Sequence, residues 1–190
     1  MGLSSLQSFS LVGGTALSLR YGHRSSVDLD LFFHEKFDHL IIEQELISEF
    51  GNEFDYESGH KQFGIFCNIQ QIKVDIVYTP HLPISAVETS ENIRMYSSAD
   101  IAAMKVQAIL GRAKKKDFWD LAELLQHFSL QQIMDWHKQK YPSQMLAISI
   151  PNAIIYFAEA DESETPVSFK KQTWESVKKE IAKAVSDYLK

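Results

Sequence analysis

A glycine pair, two aspartates at alternate positions and a distant third aspartate are the residues whose spacing points to chemistry. Gly13-Gly14 is followed after 13 intervening residues by Asp28-Leu29-Asp30, and Asp75 lies much later inside the apolar run Ile72-Lys73-Val74-Asp75-Ile76-Val77-Tyr78. Two carboxylates two apart on a strand share one face, with Cα atoms about 6.5–7 Å apart, so their oxygens can converge on a divalent ion. Burying like charges together is costly unless a cation neutralises them. Each feature has a plain structural reading: a tight turn, an exposed strand face, an acid on an edge strand. Their joint occurrence favours an oxygen-lined Mg²⁺ site, with Asp28, Asp30 and Asp75 as ligands. A Gly-Gly turn opening a helix lets backbone N–H groups approach a phosphate. Gly13, Gly14 and the following Thr15 are therefore candidate triphosphate contacts.

Lys105 falls in line with Ile101 and Ala108 and close to Met104 and Ile109, on the apolar stripe of a predicted helix. A lysine there either meets an anion or extends its stem to water. Asp117 and Asp120 sit one turn apart near the start of the next predicted helix, where acids favour the positive dipole end or can pair with Arg112. Just before the aspartate strand, Arg24 is a candidate phosphate ligand and His23 a residue that holds the loop. Glu53, Asp55 and Glu57 compete with Asp75 for the third position, but none stands in an equally apolar strand. His60, His81 and His127 have no metal-ligand spacing and read as surface or structural residues.

The elements that must hold these groups follow from hydrophobic period. Residues 8–16 read as strand, turn and helix start, and Val27–Phe33 alternates as a strand. Leu40, Ile41, Leu46, Ile47 and Phe50 recur at helical spacing up to Gly51. Residues 63–69 and 72–78 form two antiparallel strands around Gln70-Gln71, and Pro80 and Pro83 end the second. Residues 79–97 read as a crossover. Beyond it the pattern is helical: a helix capped by Ser98 and ending at Gly111, another from about Lys116 to His127, and a third opened by a Ser129/Gln132 capping box. Pro151 predicts a break, and Trp174, Val177, Ile181, Ala184, Val185 and Tyr188 form the stripe of a last amphipathic helix. The expected organisation is an α/β front half, residues 1–95, with a helical region, residues 96–190, packed on it or merged with it into one unit.

At this point a resemblance becomes specific. Leu11-Val12-Gly13-Gly14-Thr15-Ala16-Leu17, then Gly22-His23-Arg24-Ser25-Ser26-Val27-Asp28-Leu29-Asp30-Leu31-Phe32, resembles the AbiEii/AbiGii-type toxin family of nucleotidyltransferases. So do Ala103-Met104-Lys105-Val106-Gln107-Ala108-Ile109, Arg112, and Lys116-Asp117-Phe118-Trp119-Asp120-Leu121. That family is similar to the polymerase-β superfamily, which implies an α+β nucleotidyltransferase core with a small mixed sheet, followed by a C-terminal helical region. The resemblance implies catalytic roles for Asp28, Asp30, Asp75 and Lys105, and for one of Asp117 and Asp120. Asp75 would help deprotonate the acceptor hydroxyl, and Lys105 would contact nucleotide phosphates. It further implies an NTP substrate, Mg²⁺ with Mn²⁺ as an alternative, a cognate antitoxin partner and tRNA as acceptor. Transfer to a protein or a small molecule, or binding without transfer, are the alternatives.

Composition narrows the setting. The chain has 190 residues, 45% hydrophobic and 23% charged, which suits a packed globular protein and excludes a disordered one. Apolar runs are far shorter than the roughly 20 residues of a membrane span, and the start lacks a basic-then-apolar leader, so a cytoplasmic location with no membrane partner is expected. Cys67 is the single cysteine, which precludes an internal disulfide and a thiolate metal cluster. A formal net charge of −6 does not draw the chain onto nucleic acid, so any such contact falls to local clusters such as Arg112-Ala113-Lys114-Lys115-Lys116 or the lysines from Lys170 to Lys190.

Overall fold

The computed structural model describes residues 2–56 and 63–190; Glu57 and His60 lie outside the described residues. Strand β1 (Ser10–Val12) runs into helix α1 (Gly13–Tyr21), and β2 (Leu29–Phe33) returns antiparallel beside β1. Helix α2 (His39–Phe50) is capped by Asp38 and leads to β3 (Phe54–Tyr56). β4 (Gly64–Ile69) and β5 (Ile72–Tyr78) form the expected hairpin, with Gln70 and Gln71 both at positive φ, 51° and 65°. The stretch read as a plain crossover contains two short strands, β6 (Glu88–Ser90) and β7 (Ile93–Met95), and β7 pairs parallel with β1. Among the described residues the strands form a seven-stranded mixed sheet in the order β3-β4-β5-β2-β1-β7-β6.

One parallel and one antiparallel pairing set the site. β2 pairs with β5 so that Asp30 is opposite Asp75 and Phe33 opposite Tyr78, while Val12 is opposite Asp30 across β1. The end of β1, where the chain turns through Gly13, therefore meets the two aspartates at the middle of the sheet.

Helices α3 (Ser98–Arg112), α4 (Lys115–Leu125) and α5 (Leu130–Lys140) follow, then the short α6 (Ile150–Ile154) and α7 (Ala158–Asp161), and finally α8 (Trp174–Tyr188). The residue capping α3 is Ser97 rather than Ser98: its hydroxyl accepts from the Asp100 amide, which frees Ser98 to bond Arg20 and Tyr21. Both halves of the Ser129/Gln132 capping box are present. Pro151 does not break a helix but starts one, because a missing N–H costs nothing in the first turn. α8 buries Val177, Ile181 and Val185, spaced four apart, against a core in which Leu11 and Leu31 of the sheet join Ile101, Trp119 and Leu121 of the helices. No helix among the described residues is long and apolar enough to cross a membrane.

Candidate active site

Gly13 has a φ of +73°, a conformation that L side chains rarely adopt, and a Cβ there would stand 2.5 Å from Asp30 Oδ2. The glycine is thus required twice, by the turn and by the aspartate that leans against it. Asp30 lines a pocket of about 350 Å³ with Gly13, Phe32, Met104, Lys105, Gln107, Arg112 and Tyr141. Burial, and then repulsion from Asp75, push its pKa up; Lys105, Lys73 and Arg112 pull the other way.

Asp75 accepts from Lys73 Nζ at 2.7 Å through Oδ2, while its Oδ1 is buried without a hydrogen-bond partner among the described residues. Asp28 lies one residue ahead of β2, with its side chain 43% exposed and 3.6 Å from Lys116 Nζ. The fold therefore brings Asp30 and Asp75 side by side and leaves Asp28 at the rim. Among the described residues, no three His, Cys, Asp or Glu side chains are gathered closely enough to hold a metal as they stand. The donor set still suits a hard divalent cation: an orphaned carboxylate oxygen and a carboxylate under like-charge repulsion both call for positive charge, which Lys73 and Lys116 supply in part. Both lysine side chains are partly exposed, at 47% and 39%, so a cation could replace them without opening the core.

The second cluster is an ion-pair network below the pocket. Asp120 is fully buried; Arg24 Nε and Nη2 donate to it at 2.6 and 2.7 Å, His23 Nε2 lies 2.7 Å away and Lys105 Nζ 2.6 Å away. Lys105 also reaches Asp117 at 3.1 Å, and Arg112 donates to both oxygens of Asp117 at 3.0 and 2.9 Å. Burial pushes both carboxyls up, but Lys105 and its companion cations outweigh it and hold each below the usual range. Burial would lower the Lys105 pKa, and Asp120 and Asp117 reverse that. The ammonium meets an anion, as its place on an apolar stripe requires, and two anions belong to the protein itself.

Other candidate residues are turned away from the pocket. Arg24 is only 2% exposed and fills the space where a Gly14 side chain would stand, so Gly14 serves the packing of Arg24 under the turn. Its guanidinium is engaged by Asp120 and by the Ser25 carbonyl, leaving it inward rather than toward a phosphate. Thr15 is likewise buried, its hydroxyl donating to the Asp28 carbonyl and lying 2.9 Å from Ser26 Oγ, which fixes the loop ahead of β2. His23 holds that loop by its contact with Asp120. Glu53 accepts from Gln70 on the surface and Asp55 is exposed on β3, so neither rivals Asp75. His127 pairs with Glu123, and His81 packs edge-on against Tyr141.

Sequence reasoning missed part of the pocket wall. Gln107, inside the motif of residues 103–109 but uncharged, and Tyr141, at the end of α5, were given no role by the sequence, and their shared pocket with Asp30 marks them. A second compartment of about 560 Å³ adjoins at Arg112 and is lined by Lys114, Lys116, Glu159, Glu162, Ser163 and Glu164.

Comparison with known proteins gives a consistent result. The family described as nucleotidyl transferase AbiEii toxin, Type IV TA system, matches residues 4–188. An uncharacterized protein of Aquifex aeolicus (strain VF5), aq_aa25, is 32% identical over 185 residues, covering 95% of this chain and 88% of the relative. A candidate nucleotidyltransferase from H. pylori superposes with a TM-score of 0.59 at 20% identity, covering 96% of this chain and 89% of that one. MenT4, a nucleotidyltransferase toxin from Mycobacterium tuberculosis H37Rv, superposes with a TM-score of 0.58 at 15% identity, covering 94% and 75%. At such identities the two structures speak for the shared fold.

Proposed function

The chain belongs to the AbiEii nucleotidyltransferase toxin family, and from that premise we propose that it transfers a nucleoside monophosphate from an NTP to an acceptor hydroxyl through the pocket beside Gly13. The observation that carries this reading is the register of Asp30 with Asp75 next to the glycine turn, in a pocket whose opposite wall supplies Lys105 and Arg112.

Asp30 and Asp75, joined by Asp28 from the rim, would hold Mg²⁺ or Mn²⁺. A divalent ion there supplies charge neutralisation for the phosphates and lowers the pKa of the attacking hydroxyl. In the transfer, a bond forms between the acceptor oxygen and the α-phosphorus while the bond from that phosphorus to the bridging oxygen breaks. Pyrophosphate leaves with the electron pair, and the acceptor proton passes to an Asp75 carboxylate oxygen. Gly13 lets the chain come close to the phosphates, since its N–H opens α1 with no side chain in the way. Arg112, half exposed at its tip, and Lys105 supply positive charge opposite Asp30 for the departing phosphates. Asp120 acts one layer deeper, orienting Lys105; Asp117 orients Lys105 and Arg112 together.

The biological reading is the toxin of a toxin–antitoxin pair, restrained by a cognate antitoxin, with a tRNA end as acceptor and the reaction in the cytoplasm. Arg112, Lys114 and Lys116 give the adjoining compartment a basic side for acceptor phosphates, although Glu159, Glu162 and Glu164 balance their charge in the lining as a whole. The test is incubation with each α-phosphate-labelled NTP, MgCl₂, total tRNA and cell protein, beside the Asp30→Ala variant. Label in RNA that disappears with the variant supports the proposal. Nuclease-resistant label on protein would replace the acceptor, and label unaffected by the variant would remove the site.

A further inference from the structure

The pocket beside Asp30 is polarised along its length, and the polarity is built into both walls. On the strand wall, Asp30 and Phe32 share a face two residues apart, so β2 goes from carboxylate to aromatic ring over about 7 Å. On the helix wall, α3 presents Met104, Gln107, Ala108, Gly111 and Arg112, recurring at the three- and four-residue spacing of one face. Arg112 is among the charges that act on Asp30, so it marks the charged end. Five residues toward the start of α3, about 7.5 Å along the axis, Gln107 is a neutral polar group on the same wall, while Lys105 beyond it turns its ammonium onto Asp117 and Asp120.

The neutral end continues past the sheet. A further cavity of about 390 Å³ shares Gln107 and Tyr141 with this pocket and adds His81, Pro142, Ser143 and Gln144. His81 lies beyond the end of β5, on the side to which Asp30-to-Phe33 and Asp75-to-Tyr78 both run, so the two cavities are consecutive. Tyr141 packs against His81 and His137, with centroids at 4.6 and 5.1 Å, which makes an aromatic end to the channel.

Gln107 is held in one orientation there. Its Oε1 lies 3.0 Å from His137 Nε2, and a carbonyl oxygen can only accept, so the imidazole nitrogen donates. Burial lowers the His137 pKa and keeps the ring neutral near pH 7. Burial, with Asp100 and Tyr96, pushes the Tyr141 hydroxyl up to about 12, so the channel end carries no charge from either group. With Oε1 committed, the Gln107 amino group is the donor left for the cavity.

Resting on the transfer reading above, we propose that Gln107, oriented by His137 and backed by Tyr141, reads the base of the incoming nucleotide by donating to a ring carbonyl. The triphosphate then lies between Gly13, Asp30, Lys105 and Arg112, and the nucleoside extends along α3. Uracil, cytosine and guanine carry a ring carbonyl and adenine does not, so the site discriminates against ATP. His137 is a positioning residue: it touches Gln107, not the nucleotide.

The experiment is equilibrium binding of ATP, CTP, GTP and UTP in MgCl₂, with inorganic tripolyphosphate as a base-free probe, to the wild type and to Gln107→Glu, Gln107→Leu and His137→Leu. One hydrogen bond of ordinary strength corresponds to a ratio of up to about tenfold between the best carbonyl-bearing nucleotide and ATP. Gln107→Leu should reduce that ratio to near one, and Gln107→Glu should shift preference away from UTP toward the amino-bearing bases of ATP, CTP and GTP. Tripolyphosphate affinity should stay constant throughout. His137→Leu should narrow the ratio several-fold at constant tripolyphosphate affinity, whereas a purely structural role would weaken all five probes together. Equal wild-type affinities for the four nucleotides, or a ratio indifferent to Gln107→Glu, overturn base reading alone. Absence of binding by every nucleotide and by tripolyphosphate overturns the transfer reading with it.

Discussion

Asp30 and Asp75 are direct register partners across the parallel strands β2 and β5, two carboxylates on adjacent backbones with one buried oxygen left unpaired. Facing like charges on neighbouring strands destabilise a sheet by up to about 1 kcal/mol. Asp30→Asn is therefore expected to stabilise the metal-free protein by up to about 1 kcal/mol, a rise of roughly 2–4 °C in Tm for a chain of this size. The same variant should lose nucleotide transfer and the stabilisation conferred by MgCl₂. Thermal unfolding with and without MgCl₂ checks both halves. A variant less stable than the wild type without metal would mean that Asp30 holds the fold together.

Gly13 meets two demands at once, a φ of +73° and a close approach to Asp30 Oδ2. The left-handed conformation costs a non-glycine residue about 1–2 kcal/mol, and an added methyl must also displace the carboxylate. Gly13→Ala should lower stability by about 2 kcal/mol and weaken Mg²⁺ affinity as Asp30 moves. Gly14→Ala meets the Arg24 guanidinium instead, so its loss should appear in urea unfolding with metal affinity little changed. Comparing Mn²⁺ binding to the two variants separates the turn's part in the site from its part in packing; an equal effect in both would contradict the division.

Lys105 and Asp120 form a buried pair at 2.6 Å, which makes either substitution a matter of folding as well as activity. Removing one partner of a buried pair costs about 3–5 kcal/mol because the other charge is left uncompensated. Asp120→Ala strands Arg24 and His23 and leaves Lys105 only Asp117, which it shares with Arg112, so its cost should approach or exceed that range. Lys105→Ala leaves Asp117 still paired with Arg112 and Asp120 with Arg24, so a smaller loss of about 2–3 kcal/mol is expected. Urea denaturation gives the order; a larger loss for Lys105→Ala would mean that the lysine, not Asp120, is the hub.

The parts of this site that were legible in the sequence are those whose local pattern conflicts with simple burial. Asp30 and Asp75 stand out because aliphatics surround them, and Lys105 because it interrupts an apolar stripe. Gln70 and Gln71 adopt a hairpin turn without glycine or asparagine, yet the flanking alternation exposed the hairpin. What escaped was set by distant contacts. Arg24 and Asp120 are 96 residues apart, and nothing local says that the arginine turns inward. β6 is an exposed Glu-Thr-Ser edge with no hydrophobic period to reveal it, and Gln107 gains its meaning only from His137 on another helix.

Acid should dismantle the helical side first, because three fully buried acids lie along α4. Burial pushes Asp117, Asp120 and Glu123 up, but Lys105 and Arg112, Lys105 with His23 and Arg24, and Lys170 with His127 hold them below their ordinary values. A carboxyl whose folded pKa is depressed contributes stability that is present above its unfolded pKa and is lost as pH falls through the folded one. Asp30 acts in the opposite sense: its pKa is raised, so protonation on acidification relieves its repulsion with Asp75 and adds stability. Three groups outweigh one, so urea midpoints should change little between pH 7 and 5 and fall steeply below about pH 4. In Asp30→Asn the opposing gain is absent, and the descent should begin sooner on the way down in pH. Midpoints that hold steady to pH 3 would show that the cations around α4 contribute no net stability.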